Sequence, residues 1–251
     1  CQEVRDYLND MLEQQKIQEV IHTNAIGKIN AIAKALAGHH FDLVTITDAD
    51  VLFTNGWQKA VYEIYETFPK AGMVGTTPNP LGKKHMTENV YFDNAFKNNI
   101  VKKEPDSLKD IELFYSSINK NSGDLSSTFL NVLQKKNVVG VIKAGHFCAT
   151  YRKECFYKFK KLMNVGDKMG GKIMREYIDE AINNLGLWRL STFKNFTYHL
   201  GNVVEDWMVS KSKMITKNDT IVEITLPNVK VKESNFKVKV KQLITRKLLF
   251  N

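Results

Sequence analysis

Two aspartates, Asp48 and Asp50, stand one residue apart directly after the strongest strand pattern of the chain, 41–47. That run is rich in β-branched residues, which is typical of a buried strand. Ligands of open α/β sheets bind beyond the carboxyl ends of strands, and residues two apart in an extended chain point to the same side. Two carboxylates that face one crevice repel each other unless a cation lies between them. The pair predicts a divalent metal site, and two solvated loop carboxylates are the alternative interpretation.

The elements that must position these carboxylates alternate between helix and strand. Helical periodicity covers 2–16, 29–36 and 57–68, and apolar strand patterns cover 17–22, 41–47 and 73–75. Alternation of this kind predicts an α/β fold with a mostly parallel sheet and helices on its faces. Farther along the chain, helical patterns cover 111–119, 127–134, 153–163 and 173–185, and strand patterns cover 138–143 and 188–191.

The basic charge of the chain is concentrated at its C-terminal end. Of the net charge of +9, +7 falls within 211–251, and this imbalance argues against a uniformly basic nucleic-acid binder. Alternation over 229–240 predicts a half-buried β-hairpin or edge ribbon, with valines inward and lysines in water. We therefore expect a domain over 1–206 and a small, basic, β-rich extension over 207–251. The lysines either protect an edge strand or attract an anionic membrane or an acidic partner.

Composition places the chain among soluble globular proteins. It has no apolar run of the ~18–20 residues that a membrane span needs, and no visible secretory signal. The three cysteines are an odd number without the spacing of a metal site, so reduced thiols fit better than disulfides. These features predict a cytoplasmic protein, with peripheral membrane contact through the basic tail as the further expectation.

The order of these features resembles the family 2 glycosyltransferases of the GT-A fold. The resemblance covers about 17–202. It is carried by Asn24-Ala25-Ile26-Gly27-Lys28, the Ala-rich helix after it, the strand ending in Asp48-Ala49-Asp50, Trp57, Gly145-His146-Phe147 with Arg152, Asp179-Glu180, and Tyr198-His199-Leu200-Gly201. The resemblance implies an inverting, metal-dependent transfer of a sugar from a nucleotide-sugar donor to a hydroxyl of a carbohydrate or lipid-linked acceptor.

The resemblance also implies roles for individual residues. The metal, Mn²⁺ or Mg²⁺, would be held by Asp50 and His199, with Asp48 contacting it through water or contacting the ribose instead. A neutral imidazole beside oxygen ligands suits Mn²⁺ better than Mg²⁺. The donor would be held by Asp48 together with Asn24, Gly27 and Lys28, of which Lys28 is placed to approach the phosphates.

The base that accepts the proton of the attacking hydroxyl is expected to be a carboxylate. Asp179 and Glu180 are the candidates, and adjacent helical side chains diverge by about 100°, so only one of them can face the site. We prefer Asp179, because Ile178 and Ile182 mark the packed side of this helix while Glu176 and Glu180 can face solvent. His146 is expected to be structural or to face the acceptor.

The chain departs from the family at its beginning. The family opens with strands that hold the nucleotide base, whereas this sequence opens in a helix, and we expect that a preceding piece is missing. A nucleotidyltransferase on a related sheet is therefore an alternative function. A non-catalytic module that binds carbohydrate or a partner on a degenerate transferase fold is another.

Overall fold

The computed structural model describes residues 2–79, 86–118, 128–161, 173, 175–201, 203–217, 222–231 and 236–250. In these parts of the chain the α-helices are α1 (Gln2–Glu13), α2 (Lys28–Leu36), α3 (Trp57–Thr67), α4 (Glu88–Asn94), α5 (Leu108–Ser117), α6 (Glu180–Asn184), α7 (Asp206–Lys213) and α8 (Phe236–Leu249). A 3-10 helix covers Lys153–Lys161 and a π-helix covers Arg175–Asp179. The strands are β1 (Leu43–Thr47), β2 (Val51–Phe53), β3 (Ala71–Gly75), β4 (Ile100–Lys103), β5 (Leu130–Lys135), β6 (Val138–Ile142), β7 (Cys148–Arg152), β8 (Trp188–Thr192) and β9 (Thr197–His199).

Seven strands form one sheet in the order β1-β7-β3-β8-β6-β5-β4. The expected α/β class is confirmed, but the expectation of a mostly parallel sheet is wrong. Only β3 and β8 pair in parallel among the described strands, and the other neighbours are antiparallel. The reason is that β7, which comes from far along the chain, enters between β1 and β3. Local alternation of helix and strand could not reveal that insertion.

The hydrophobic core lies on both faces of the central strands. Every residue of β3, β7 and β8 is buried. Val74 of β3 packs in one cluster with Val61 and Tyr65 of α3, and Met73 packs in another with Ile178. Helices therefore cover both faces, and the middle of the sheet is shielded from water on each side.

Two local expectations fail where long-range pairing overrides the local pattern. Residues 127–134 were expected to be helical, but β5 pairs there with β4 and β6 in an antiparallel meander. Residues 17–22 were expected to form a strand and have no regular structure. The strands expected near 138–143 and 188–191 are confirmed as β6 and β8.

The expectation of a β-rich tail is also wrong for the residues that the structure describes, and residues 232–235 of the expected ribbon lie outside them. Residues 222–231 form no strand, and the described residues after them form α8, which lies against α4. The period-two alternation is misleading because the contacts that orient α8 are polar and follow helical spacing. Its inward side chains are Lys241, Gln242, Thr245 and Arg246, which bond to Asp93, to the carbonyl oxygens of Asn183 and Glu88, and to the Glu88 carboxylate. None of the described helices is long and apolar enough to cross a membrane.

A buried carboxylate fixes the C-terminal helix to the domain. Glu88 has only 2 % of its side chain exposed, and its carboxylate accepts hydrogen bonds from Arg246 at 2.6 Å and from Asn183 at 3.3 Å. Removing one partner of a buried ion pair leaves an uncompensated charge, at a cost of about 3–5 kcal/mol.

We expect Arg246→Ala to lower the free energy of unfolding by about 2–3 kcal/mol, less than for a fully buried pair because Arg246 itself is half exposed. Urea unfolding measures the loss. Lys237→Ala, an exposed cation of the same helix, is the matched control and should change stability by less than about 0.5 kcal/mol. Equal effects of the two changes would contradict the assignment.

Asp93 gives the same interface a pH dependence. Burial alone would raise the pKa of the Asp93 carboxyl, but hydrogen bonds from Lys70, Lys241 and Trp188 outweigh it and hold that pKa below the ordinary value. A carboxyl with a depressed folded-state pKa contributes stability above its unfolded pKa and loses it as the pH falls through the folded pKa. The difference in unfolding free energy between the parent chain and Asp93→Asn should be constant above about pH 5 and should decrease as the pH falls below the ordinary carboxyl pKa of about 3.9. A difference that stays the same between about pH 5 and pH 3 would refute this assignment.

Candidate active site

The end of β1 and the loop before β7 connect two features that the sequence analysis treated separately, the aspartate pair and the expected base Asp179. Thr47 of β1 is paired with Cys148 of β7, and the Asp48 amide donates a hydrogen bond to the Phe147 carbonyl oxygen at 2.8 Å. The neighbouring His146 lies beside Asp179, with Nδ1 3.7 Å from Oδ2. Two adjacent residues of one loop therefore connect the aspartate pair to the expected base.

Asp48 forms an ion pair with Lys28. Lys28 is the first residue of α2, and Gly27 before it has φ 78°, a left-handed conformation that favours glycine. Asn24 lies in the preceding turn, where its carbonyl oxygen accepts a hydrogen bond from the Ile26 amide at 2.7 Å. Both side chains of the ion pair keep about a third of their surface exposed, 34 % each. The Lys28 ammonium has three N–H donors, so it can bind an anion while it holds Asp48.

Asp50 faces a different partner. Strands β2 and β9 pair in antiparallel register with Val51 opposite His199, and the Leu200 amide donates to the Asp50 carbonyl oxygen at 2.8 Å. This ladder sets His199 Nε2 at 3.3 Å from Asp50 Oδ2. His199 Nδ1 is buried and has no hydrogen-bond partner among the described residues. The carboxylate and the imidazole together line a cavity of about 600 Å³.

The geometry of Asp50 and His199 fits a shared divalent ion. Two ligand atoms at about 2.1 Å from one metal, at angles of about 90–110°, lie roughly 3.0–3.4 Å apart, and the observed separation is 3.3 Å. Within the described ranges no group of three or more His, Cys, Asp or Glu residues could hold a metal ion. Mg²⁺ is commonly held by one or two carboxylates, with waters and substrate phosphates as its other ligands, and Asp50 would supply one such carboxylate. The expected metal contacts of Asp48, Asp50 and His199 stay predictions.

The structure separates the two candidate bases. Asp179 is buried at the end of the π-helix, and its Oδ1 lies 3.2 Å from Arg189 Nη2. Glu180 is turned outward and forms an exposed ion pair with Arg175 at 3.2 Å. Asp179 therefore lies on the packed side of its helix, as Ile178 and Ile182 indicate. Single π-helical turns are frequent at functional sites.

Arg189 is a site residue that our sequence reasoning missed. It is buried in β8, donates through Nη2 to the Ala144 carbonyl oxygen at 2.7 Å, and its Nε has no hydrogen-bond partner among the described residues. The signal was present in the sequence, since an arginine inside the otherwise uncharged run Trp188–Thr192 is unusual in a buried strand. Arg189 fixes the position of Asp179 and of the chain segment that leads into His146.

Aromatic packing supports the loop beneath the cavity. The Phe147 ring lies 6.4 Å from the His199 ring and 4.8 Å from the Phe114 ring of α5, measured between centroids. Glu205 also lines the cavity and adds a second carboxylate to its wall. Phe114 and Glu205 belong to no local motif, so periodicity gave no means of finding them.

Strand β9 is anchored from its other side by a polar cluster. The Tyr198 hydroxyl donates to Asp110 at 2.8 Å, and Lys211 Nζ donates to both groups at 2.9 Å. Burial alone would raise the pKa of the Asp110 carboxyl, but the hydrogen bonds from Lys211 and Tyr198 outweigh it and hold that pKa below its ordinary value. This cluster fixes the strand that carries His199.

Comparisons of the chain with protein-family models, with curated proteins and with solved structures found no match.

We expect Asp50→Ala to abolish the Mn²⁺-dependent binding of a nucleoside diphosphate, because the cation loses its carboxylate ligand. His199→Ala should weaken Mn²⁺ affinity on the order of 10–100-fold. Isothermal titration with Mn²⁺ and the nucleotide measures both changes. Asp42→Ala removes an exposed carboxylate at the opposite end of β1 and is the control. Unchanged Mn²⁺ affinity in Asp50→Ala would overturn the assignment.

Proposed function

We propose that this protein is a metal-dependent glycosyltransferase that moves a sugar from a nucleotide-sugar donor to a hydroxyl acceptor, with inversion. The observation that carries the proposal is the convergence at residues 146–147. The Phe147 carbonyl bonds to the amide of Asp48, its ring lies near His199, and His146 adjoins Asp179. Donor-side cation ligands and an acceptor-side carboxylate thus occupy neighbouring positions in the fold.

The donor side is suited to a diphosphate leaving group. Lys28 offers an ammonium group that is held by Asp48 yet still partly exposed, and it can donate to a phosphate oxygen. A divalent ion held by Asp50 and His199 would neutralise the negative charge that develops on the departing diphosphate. The cavity of about 600 Å³ beside these two residues falls in the size range of small-ligand sites.

The acceptor side needs a group that takes one proton. The acceptor oxygen attacks the anomeric carbon, the bond from that carbon to the diphosphate oxygen breaks, and the hydroxyl proton passes to a carboxylate. Asp179 has the position for this role, because Arg189 holds one of its oxygens while the other points toward His146. His146 is exposed and can orient the acceptor above Asp179.

The proposal is tested by incubating the protein with Mn²⁺ and a panel of nucleotide sugars and measuring released nucleotide. Release of nucleoside diphosphate with a product of inverted anomeric configuration is the expected result. Release of pyrophosphate in an assay with sugar phosphate and nucleoside triphosphate would identify a nucleotidyltransferase instead. Mn²⁺-independent binding of glycans without any turnover would identify a non-catalytic module.

The base assignment gives a separate prediction. Asp179→Asn should retain donor binding and lose transfer by about 10²–10⁴-fold, because the amide keeps the shape of the side chain and cannot accept the proton. Glu180→Gln, on the exposed side of the same helix, should retain transfer. Single-turnover assays with saturating donor measure both variants. The reverse pattern would move the base to Glu180.

A further inference from the structure

The C-terminal helix α8 packs against the domain mainly through polar side chains, together with Val238 next to Gly186, and it leaves several apolar side chains in water. Its inward side chains are hydrogen-bonded or ion-paired to α4 and to the residues before β8. Phe236, Leu243 and Leu248 are exposed to 82 %, 54 % and 74 %. An ordinary surface helix has the opposite arrangement, with its apolar stripe against the core.

Most of the exposed apolar side chains lie on one surface of the helix, whereas Leu249, with 42 % of its surface exposed, lies on the opposite side. At about 100° per residue, Phe236, Val240 and Leu243 follow each other within one strip, and Ile244 adjoins it with 38 % of its surface exposed. A contiguous exposed apolar surface marks a site of interaction, whereas single exposed apolar residues do not.

Lysines flank this strip, and the exposed Lys247 lies in line with it after Leu243. Lys237 and Lys239 are exposed and, at helical spacing, lie on either side of Phe236. The helix has five basic residues and no acidic one. Lys241 and Arg246 are used in ion pairs with Asp93 and Glu88, so the charge that flanks the apolar strip belongs to side chains with no role in docking the helix.

We propose that α8 is a membrane-surface anchor that lies along an anionic phospholipid bilayer. A helix with Phe and Leu on one surface and lysines beside it binds the interface of a bilayer by burying the apolar surface among the acyl chains and placing the cations at anionic headgroups. Charge decides in favour of this occupant. A second copy of this basic helix would bring like charges together, and a neutral bilayer would leave the lysines unused.

Attachment of α8 to the domain and binding of α8 to a membrane use different sides of the helix. The ion pairs of Lys241 with Asp93 and of Arg246 with Glu88 hold the inward side of α8, so insertion of the outward side does not require the helix to leave the domain. Membrane binding by this route therefore leaves the fold and the cavity intact.

The test is sedimentation of the full chain with vesicles of phosphatidylcholine alone and of phosphatidylcholine mixed with phosphatidylglycerol. We expect binding to the anionic vesicles at low salt, weaker binding as ionic strength rises past ~0.15 M, and little binding to the neutral vesicles. Reversal of two lysines, Lys237→Glu with Lys239→Glu, should weaken binding at least thirtyfold, since each surface lysine contributes about fivefold.

A matched control makes the same charge change elsewhere. Lys135→Glu with Lys136→Glu alters two exposed lysines at the turn between β5 and β6 and should leave vesicle binding within a few-fold of the parent chain. Circular dichroism and the unfolding midpoint establish that all variants are folded. Loss of binding in the control equal to that in the α8 variant would show that net charge alone is responsible, and would overturn the proposal.

Insertion of the apolar strip into the bilayer is measured separately from electrostatic attraction to its surface. Phe236→Trp places a fluorophore in the strip, and its emission should shift to shorter wavelength with phosphatidylglycerol vesicles and stay unshifted with neutral ones. Leu243→Asp should remove vesicle binding while the domain stays folded. Failure to bind the anionic vesicles at low salt overturns the proposal. Concentration-dependent dimerisation that Leu243→Asp abolishes also overturns it, because the strip would then belong to a second copy of the chain.

Discussion

The candidate site depends on the antiparallel pairing of β1 with β7. These strands are separated by a hundred residues of chain, and their register sets Thr47 opposite Cys148. From that register follow the hydrogen bond between Asp48 and Phe147 and the position of His146 beside Asp179. A shift of one residue would turn every side chain of β1 to the other face of the sheet. The chemistry proposed for this protein therefore rests on two backbone ladders, β1 with β7 and β2 with β9, which bring its charged groups into contact.

Residues at the ends of helices and strands could be predicted from the sequence. Contacts between residues that are distant in the sequence could not. The aspartate pair, the helix that begins at Lys28 and the inward position of Asp179 all follow from local pattern. The buried Arg189 and the entry of β7 between β1 and β3 depend on long-range pairing. No period in the local sequence reports such contacts. The prediction for the C-terminal segment failed for a related reason. Alternation of valine and lysine predicts a strand, but the acidic residues of α4 bind side chains that are spaced as in a helix.

Charged side chains are arranged differently in two regions of the protein, the cavity and the interface between α4 and α8. Near the cavity, Asp50, His199 and Glu205 line an open wall with polar atoms. At the interface between α4 and α8, the carboxylates of Glu88 and Asp93 are saturated by cations and amides. Part of the positive charge of the chain is thus used in ion pairs within the fold.

The pairing of Glu88 with Arg246 also bears on how the chain is made. The two residues are 158 positions apart, so a ribosome that adds about 5–20 residues per second needs roughly 8–30 s to supply the cation after the carboxylate. During that interval Glu88 cannot be buried without an uncompensated charge, and the surface of α4 must stay hydrated. The core around β3 and β8 can close before α8 arrives. Burial of the Glu88 carboxylate is therefore one of the late steps of folding during synthesis, because its cation comes from α8.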